Sequence, residues 1–323
     1  MAKRRGRPPL PTLFRLRRLP LLLFVLFFLF LLFASLHICA ALLRRANDLG
    51  RRCPPVSPVL SGLPAANRSL RIAMVSFSDE GEGDGEGSGS RRRSFRGVMA
   101  TVGDNKRSYA SRMGYDLADA HHLIDPDRPP SWSKIPAVRS QLPSHDWVFW
   151  NDADTVITTT DISLENVLHA VIGHMDFDAS PDFVATEDVN GINAGVFFVK
   201  RSKWSENFLD AWWNQTSFVR FGSTKSGDND ALKQLIKRLP PHELRAHVRI
   251  SPMQCLFNSY PWYPSLKSLY QIISSPRAVW KGVYSSGDFM VHLAGLDDKK
   301  ELAARIISDV EAERRSYMNL ARP

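Results

Sequence analysis

Trp147-Val148-Phe149-Trp150-Asn151-Asp152-Ala153-Asp154 sets four bulky apolar residues directly ahead of two carboxylates. A short unbroken apolar run of this kind suits a strand covered on both faces of a sheet. In open α/β sheets, ligands bind beyond the carboxyl ends of the strands. Two carboxylates one small residue apart can meet a single hard cation there, where the chain turns out of the sheet. Oxygen ligands suit Mg2+ or Mn2+, which proteins commonly share with substrate phosphates. An Asp-x-Asp by itself is usually a solvated turn; the strand ahead of this one gives it weight. Both acids lie past the strand end, so replacing either is expected to leave the core undisturbed.

Outward from this run, Leu70 to Phe77 reads as a first strand with a β-branched apolar centre. Thr101 to Met113 reads as a helix ended by Gly114, and Tyr115-Asp116-Leu117 as a short strand. Further helices are expected over Ser133–Gln141, Trp204–Trp213 and Asn229–Arg238, and strands over Phe183–Ala185 and Ala194–Val199. This alternation predicts an α/β domain with a mostly parallel sheet. Within residues 80–93, Glu80 to Ser90 alternates Gly with acids and Ser, and Arg91-Arg92-Arg93 follows. Their acidic charge would repel phosphate and no Gly-Lys-Ser/Thr ending is present, so they read as a disordered, dispensable insertion. His121-His122 reads as surface loop.

Leu19 to Leu43 is apolar apart from Pro20, Ser35 and His37. About 20 helical residues cross ~30 Å of hydrocarbon, and a cleaved signal has an apolar stretch of only about 7–15. The run is therefore expected to be a permanent transmembrane anchor. Seven basic residues precede it and Arg44, Arg45, Arg51 and Arg52 come after; the larger cluster puts residues 1–18 in the cytoplasm. The folded part, residues 69–323, would be lumenal, joined by a proline-bearing stem over 44–68. Asn67 and Asn214 head glycosylation sequons in keeping with that side.

The formal net charge is +9. Lys3, Arg4, Arg5, Arg7, Arg15, Arg17, Arg18, Arg44 and Arg45 all precede the first acid, Asp48, and equal the whole excess. The basicity belongs to a membrane flank, and no nucleic-acid partner is expected. Cys39, Cys53 and Cys255 have no metal-ligand spacing. Only Cys255 falls within the expected folded part, so an intradomain disulfide is not expected; Cys53 could link two chains, carry a lipid or stay a free thiol.

The chain resembles glycosyltransferase family 34, the galactosyl-, xylosyl- and mannosyltransferase group of plants and fungi. The matching stretches run from Asn105-Lys106 through Gly114-Tyr115, Ser131-Trp132-Ser133-Lys134-Ile135-Pro136, Asp146 to Asp154, and Asn190-Gly191-Ile192-Asn193-Ala194-Gly195-Val196-Phe197-Phe198. Trp204 with Asp210-Ala211-Trp212, Asp228 to Leu232, and His292-Leu293-Ala294-Gly295 complete them in family order. The resemblance implies a GT-A fold and retaining transfer of xylose, galactose or mannose from a nucleotide sugar, a UDP-sugar ahead of GDP-mannose, to a glycan in the Golgi lumen. It implies that Asp152, Asp154 and His292 hold Mn2+ or Mg2+, with Lys134 also on the donor side. Asn193 and Gly195 would shape the acceptor side, and Asp228 and Asn229 would sit beside the reacting sugar; as plain sequence, the latter pair equally suits a helix N-terminus. Assembly with itself or with other Golgi transferases fits the same picture.

Three positions depart from the family pattern: Asn151, Asn229 where many members carry Gln, and Leu296-Asp297 where members often carry Cys-Lys after His-x-x-Gly. Lys299 or Lys300 could replace that lysine; alternatively the chain is a weakened relative acting as a scaffold for an active transferase.

Overall fold

The computed structural model describes residues 18–55, 70–79, 95–221 and 225–320. Its centre is the expected strand, β3 (Trp147–Asn151), buried along its whole length. It belongs to a six-stranded sheet with β1 (Ile72–Ser76), β2 (Asp116–Asp119), β5 (Phe183–Asp188), β6 (Gly191–Lys200) and β7 (Val248–Ser251), in the order β2-β1-β3-β6-β5-β7. The β1·β2, β1·β3 and β5·β7 pairs are parallel, and β6 runs against both neighbours. The α/β class with a mostly parallel mixed sheet is thus the one found.

Side chains alternate across β3 because the strand period is two. Trp147 and Phe149 join Ile72, Met74, Val196 and Phe198 on one face, covered by α4 (Leu164–Ile172) through Leu164, Val167 and Leu168. Val148 and Trp150 join Val75, Phe197 and Val199 on the other. That face is covered by α3 (Lys134–Gln141), α5 (Lys203–Trp213) and α6 (Asp228–Arg238). Helix α2 (Val98–Met113) stops at Gly114, whose φ of 75° is the left-handed conformation a helix end uses. Burying the sheet on both faces explains why β3 carries no polar alternation.

A second, two-stranded sheet pairs β4 (Thr155–Ile157) with β8 (Met290–His292), antiparallel, with Thr155 opposite His292. Residues far apart in the chain meet here, directly after the Asp-x-Asp turn.

Helix α1 (Arg18–Arg44) carries the one segment among the described residues long and apolar enough to cross a membrane, Leu19–Arg44, with mean hydropathy 2.9 over its most apolar 18 residues.

The segment after α1 corrects two expectations. Residues 44–55, expected to begin a stem, pack onto the domain: Ala46, Arg51 and Cys53 are buried. Arg51 pairs with Asp288 at 2.5 Å, both side chains fully enclosed. Cys53 forms a disulfide with Cys255, 202 residues away, with Cα atoms 5.7 Å apart. Spacing rules see only local pairs, so neither the bridge nor the docking of this segment is legible from prolines and charges around it. The rest of the stem with Asn67, and the 80–93 insertion, lie outside the described residues.

Candidate functional site

The site forms where β3 ends. The Asp152 amide donates to the Gly195 carbonyl at 2.8 Å and the Thr155 amide to the Asp152 carbonyl at 3.2 Å, closing a tight turn between β3 and β4. Pairing of β4 with β8 sets His292 beside that turn, and the Leu293 amide donates to the Asp154 carbonyl at 2.9 Å. His292 Nε2 lies 3.3 Å from Asp154 Oδ1 and 3.9 Å from Asp152 Oδ2. Ligand atoms of Asp152, Asp154 and His292 all fall within 4.8 Å of one another.

The hydrogen-bond network selects the imidazole tautomer. Asn258 Nδ2 donates to Thr186 Oγ1 at 2.8 Å and to Asn193 Oδ1 at 3.1 Å, leaving Asn258 Oδ1 as an acceptor for His292 Nδ1 at 2.8 Å. The proton therefore sits on Nδ1, and the Nε2 lone pair faces the two acids, the arrangement usual for a metal-binding histidine. Asp154 Oδ1 is buried and has no hydrogen-bond partner. Such an atom is costly unless something satisfies it. Two carboxylates, one orphaned oxygen and a bare Nε2 fit a divalent cation, with the imidazole favouring Mn2+ over Mg2+.

Charges around the acids keep them ready. Burial alone would raise the Asp154 carboxyl, but the Lys299 ammonium holds it far below the usual range. Lys299 opens α10 (Lys299–Leu320) and pairs with Asp154 Oδ2. The Asp154 side chain is only 2% exposed, so the expectation that it is replaceable without disturbing the core is wrong: its loss would strand a buried ammonium. Asp152, 28% exposed, accepts from Trp150 Nε1 at 2.7 Å and Lys134 Nζ at 3.2 Å.

Lys134 is enclosed and donates also to the Ala194 carbonyl at 3.0 Å and Asp228 Oδ2 at 3.1 Å. Burial would lower its ammonium, but Asp152 and Asp228 raise it well above its ordinary value. It thereby ties the β3 turn to the start of α6. Asp228 also accepts from Ser226 Oγ at 2.6 Å and Ser131 Oγ at 3.2 Å. Asn229 Oδ1 accepts from the Ala194 amide at 2.7 Å. Neither caps α6 through its side chain; Gly227, at φ 98°, takes the cap position, with both residues in the first turn.

Asn193 links the site to its flank. Its Oδ1 accepts from the Gly195 amide at 2.9 Å, and its Nδ2 donates to Tyr260 Oη at 2.8 Å and Asp188 Oδ2 at 3.1 Å. Asp188 also lines a cleft of about 610 Å³ with Glu187, Gln254, Arg277 and Lys281. A Cβ on Gly195 would overlap His292 Cε1 and come within 3.0 Å of Asp152 Oδ2. Gly195→Ala is therefore expected to push the imidazole off the acids and to lower turnover by about 100-fold, as misplacement of a reacting group by roughly 1 Å can do. Turnover kinetics together with an unchanged circular-dichroism spectrum check this.

Three contributors have no assigned role in the sequence reading: Lys106, Asn258 and Tyr260. Lys106 donates to Ser76 Oγ and the Asp152 carbonyl, both at 2.9 Å. Burial pushes its ammonium down to about 7, with Asp154 and Asp152 pulling the other way. A signal for it existed: Lys106 falls on the buried stripe Val98, Val102, Tyr109 and Ala110 of α2, where a lysine is out of place. Asn258 and Tyr260 sit in irregular chain with no pattern to mark them.

The model of the galactosyl transferase GMA12/MNN10 family, glycosyltransferase family 34, matches residues 69–177 and 172–303. The chain belongs to glycosyltransferase family 34. It is 26% identical over 260 residues to the probable alpha-1,6-mannosyltransferase MNN10 of Saccharomyces cerevisiae, covering 71% of this chain and 62% of that one. It is 31% identical over 156 residues to probable glycosyltransferase 6 of Oryza sativa subsp. japonica, covering 43% of this chain and 32% of that one. This chain thus spans less than two thirds of either relative's length. Among solved structures, a glycosyltransferase involved in the glycosylation of the major capsid of PBCV-1 aligns with TM-score 0.46 and 13% identity, over 72% of this chain and 98% of that one.

Within family 34, the chain departs at Leu296-Asp297, and the two lysines that come next have different surroundings. Of the two candidate lysines, Lys299 enters the site on Asp154, whereas Lys300 lies along Gly97. Asn151 is buried and donates to the Val75 carbonyl at 3.3 Å, joining β3 to β1. Asn214 is exposed at the end of α5, and His121-His122 form a one-turn surface segment with no buried residue.

Proposed function

We propose that this chain is a metal-dependent, retaining glycosyltransferase that moves xylose, galactose or mannose from a nucleotide sugar, a UDP-sugar ahead of GDP-mannose, to a glycan acceptor. The carrying observation is the convergence of Asp152, Asp154 and the bare Nε2 of His292 around an orphaned carboxylate oxygen, in a chain of family 34. Retention and the choice of sugars rest on the family resemblance.

Asp152, Asp154 and His292 would hold the ion, which supplies Lewis-acid neutralisation of the charge that grows on the departing diphosphate. Lys134 and Lys299 hold the two carboxylates in place before the donor arrives, the preorganisation that makes an electrostatic site effective. Asp152, the more exposed acid, is the one turned toward the donor side. Asp228 and Asn229, held on Lys134 and on the Ala194 amide, border the transferred sugar. Asn193 and Gly195 border the acceptor, and the cleft beside Asp188 offers carboxylates, an amide and cations to its hydroxyls.

A panel of nucleotide sugars, with nucleotide release measured on the full chain, tests this reading. One donor should turn over well above the rest; no turnover of any donor by folded protein would favour the scaffold role instead.

We infer that the domain lies in the Golgi lumen as a single-pass type II protein. The heavier basic flank before α1 supports this, as does the Cys53–Cys255 disulfide, which suits an oxidising compartment. In sealed microsomes the domain should resist protease until detergent is added; digestion without detergent would reverse the topology.

A further inference from the structure

Helix α8 (Leu266–Ser274) leaves one face without a partner. Leu266, Tyr270 and Ile273 recur at i, i+4 and i+7 and are 77%, 70% and 72% exposed. Leu269 and Ile272 are half-buried on the side of the helix that adjoins this stripe. Ile272 packs on the cluster in which Ala40, Leu43 and Ala46, at the end of α1, meet Trp262, Val279 and Val283. The apolar stripe therefore starts where the anchor enters the domain.

The length of the anchor sets the level of the bilayer. Leu19 to Ile38 is exposed or half-exposed throughout, and its twenty residues rise ~30 Å, the thickness of the hydrocarbon layer. Burial against the domain begins immediately after, at Ala40. No spacer separates domain from membrane, so the residues around Ala40 and Leu43 lie at the boundary. Trp262 and Trp280 belong to that cluster, and Tyr263 and Tyr270 are exposed just before and within α8, the residue types that membrane interfaces collect. From 253 to 287 there is no Asp or Glu, while Lys267, Arg277 and Lys281 are present, so no carboxylate in this stretch opposes contact with lipid headgroup phosphates.

We propose that α8 lies on the same bilayer that α1 crosses, with Leu266, Tyr270 and Ile273 inserted at the boundary of headgroups and acyl chains. The proposal rests on α1 being a membrane span. Because Ser274, Ser275, Pro276 and Arg277, at the junction after α8, also line the cleft beside Asp188, this contact fixes the cleft against the membrane surface.

The test uses the full chain in liposomes, in a Cys39→Ser background that retains the Cys53–Cys255 bridge. An environment-sensitive fluorophore is attached at Ile273→Cys or, separately, Leu266→Cys. Phe27→Cys within α1 and Lys203→Cys on α5 serve as references. Lipids carrying a nitroxide near the headgroup should remove most emission from the Ile273 and Leu266 labels, and those with deep nitroxides most emission from Phe27, with Lys203 unaffected. If Phe27 is quenched but Ile273 and Leu266 behave as Lys203 does, the α8 contact is overturned while the anchor stands. Failure to quench Phe27 removes the anchor and the proposal with it. Emission at Ile273 that tracks protein concentration and ignores nitroxides would assign the face to a second copy of the chain and overturn the lipid contact.

Discussion

Chelation of divalent cations is expected to abolish nucleotide release, and Asp154→Asn to reproduce that loss in the presence of excess Mn2+. Asn keeps the shape of the side chain but removes the charge that would hold the ion. The loss should be on the order of several kcal/mol of transition-state stabilisation. Asp154→Ala is a poorer probe, because Lys299, 4% exposed, would keep its charge without a partner. Breaking a buried pair in this way costs about 3–5 kcal/mol of folding stability. Adding Lys299→Met to Asp154→Asn should recover thermal stability without recovering turnover, which separates the two effects. Asp152→Ala should cost turnover with less effect on folding, since Lys134 retains Asp228 and the Ala194 carbonyl. His292→Ala should cost less turnover than either acid change, a neutral ligand offsetting less charge. Full turnover in chelator, or by folded Asp154→Asn, would remove the metal assignment.

Cys53→Ser is expected to lower the stability of the domain by about 5 kcal/mol, the chain-entropy value for closing a loop of this length. The bridge spans 202 residues and so constrains nearly the whole domain in the unfolded state. It also holds the segment that carries Arg51 against Asp288, and Asn47 Nδ2 donates to that same carboxylate at 2.9 Å. Freeing the segment weakens that buried pair as well. Denaturant melts of wild type and Cys53→Ser, with peptide mapping under non-reducing conditions, read the effect. An unchanged midpoint, or a Cys53 peptide free of Cys255, would contradict the bridge.

Local pattern carried much of the fold. The Trp147–Trp150 run announced a doubly covered strand because burial on both faces removes polar alternation, and Gly114 announced a helix end because left-handed backbone favours glycine. Asp152 and Asp154 were legible as a pair because they adjoin in the chain. Lys106 could have been found as a lysine on an apolar helical stripe. Asn258 and Tyr260 could not, since they act only through partners brought in from elsewhere.

By itself the sequence determined the α/β class, the strands β1, β2, β3, β5 and β6, the helices α2, α3, α5 and α6, the long apolar helix and the carboxylate pair, because each depends on periodicity or adjacency within a few residues. The tertiary structure alone decided what those residues meet. Pairing of β4 with β8 brings His292 to Asp154, the start of α10 delivers Lys299 to the same carboxylate, and Cys53 finds Cys255. Contacts across more than a hundred residues leave no local periodicity in a single chain. They arise because burying both faces of one sheet brings distant segments to its edge, where the charges must then satisfy one another.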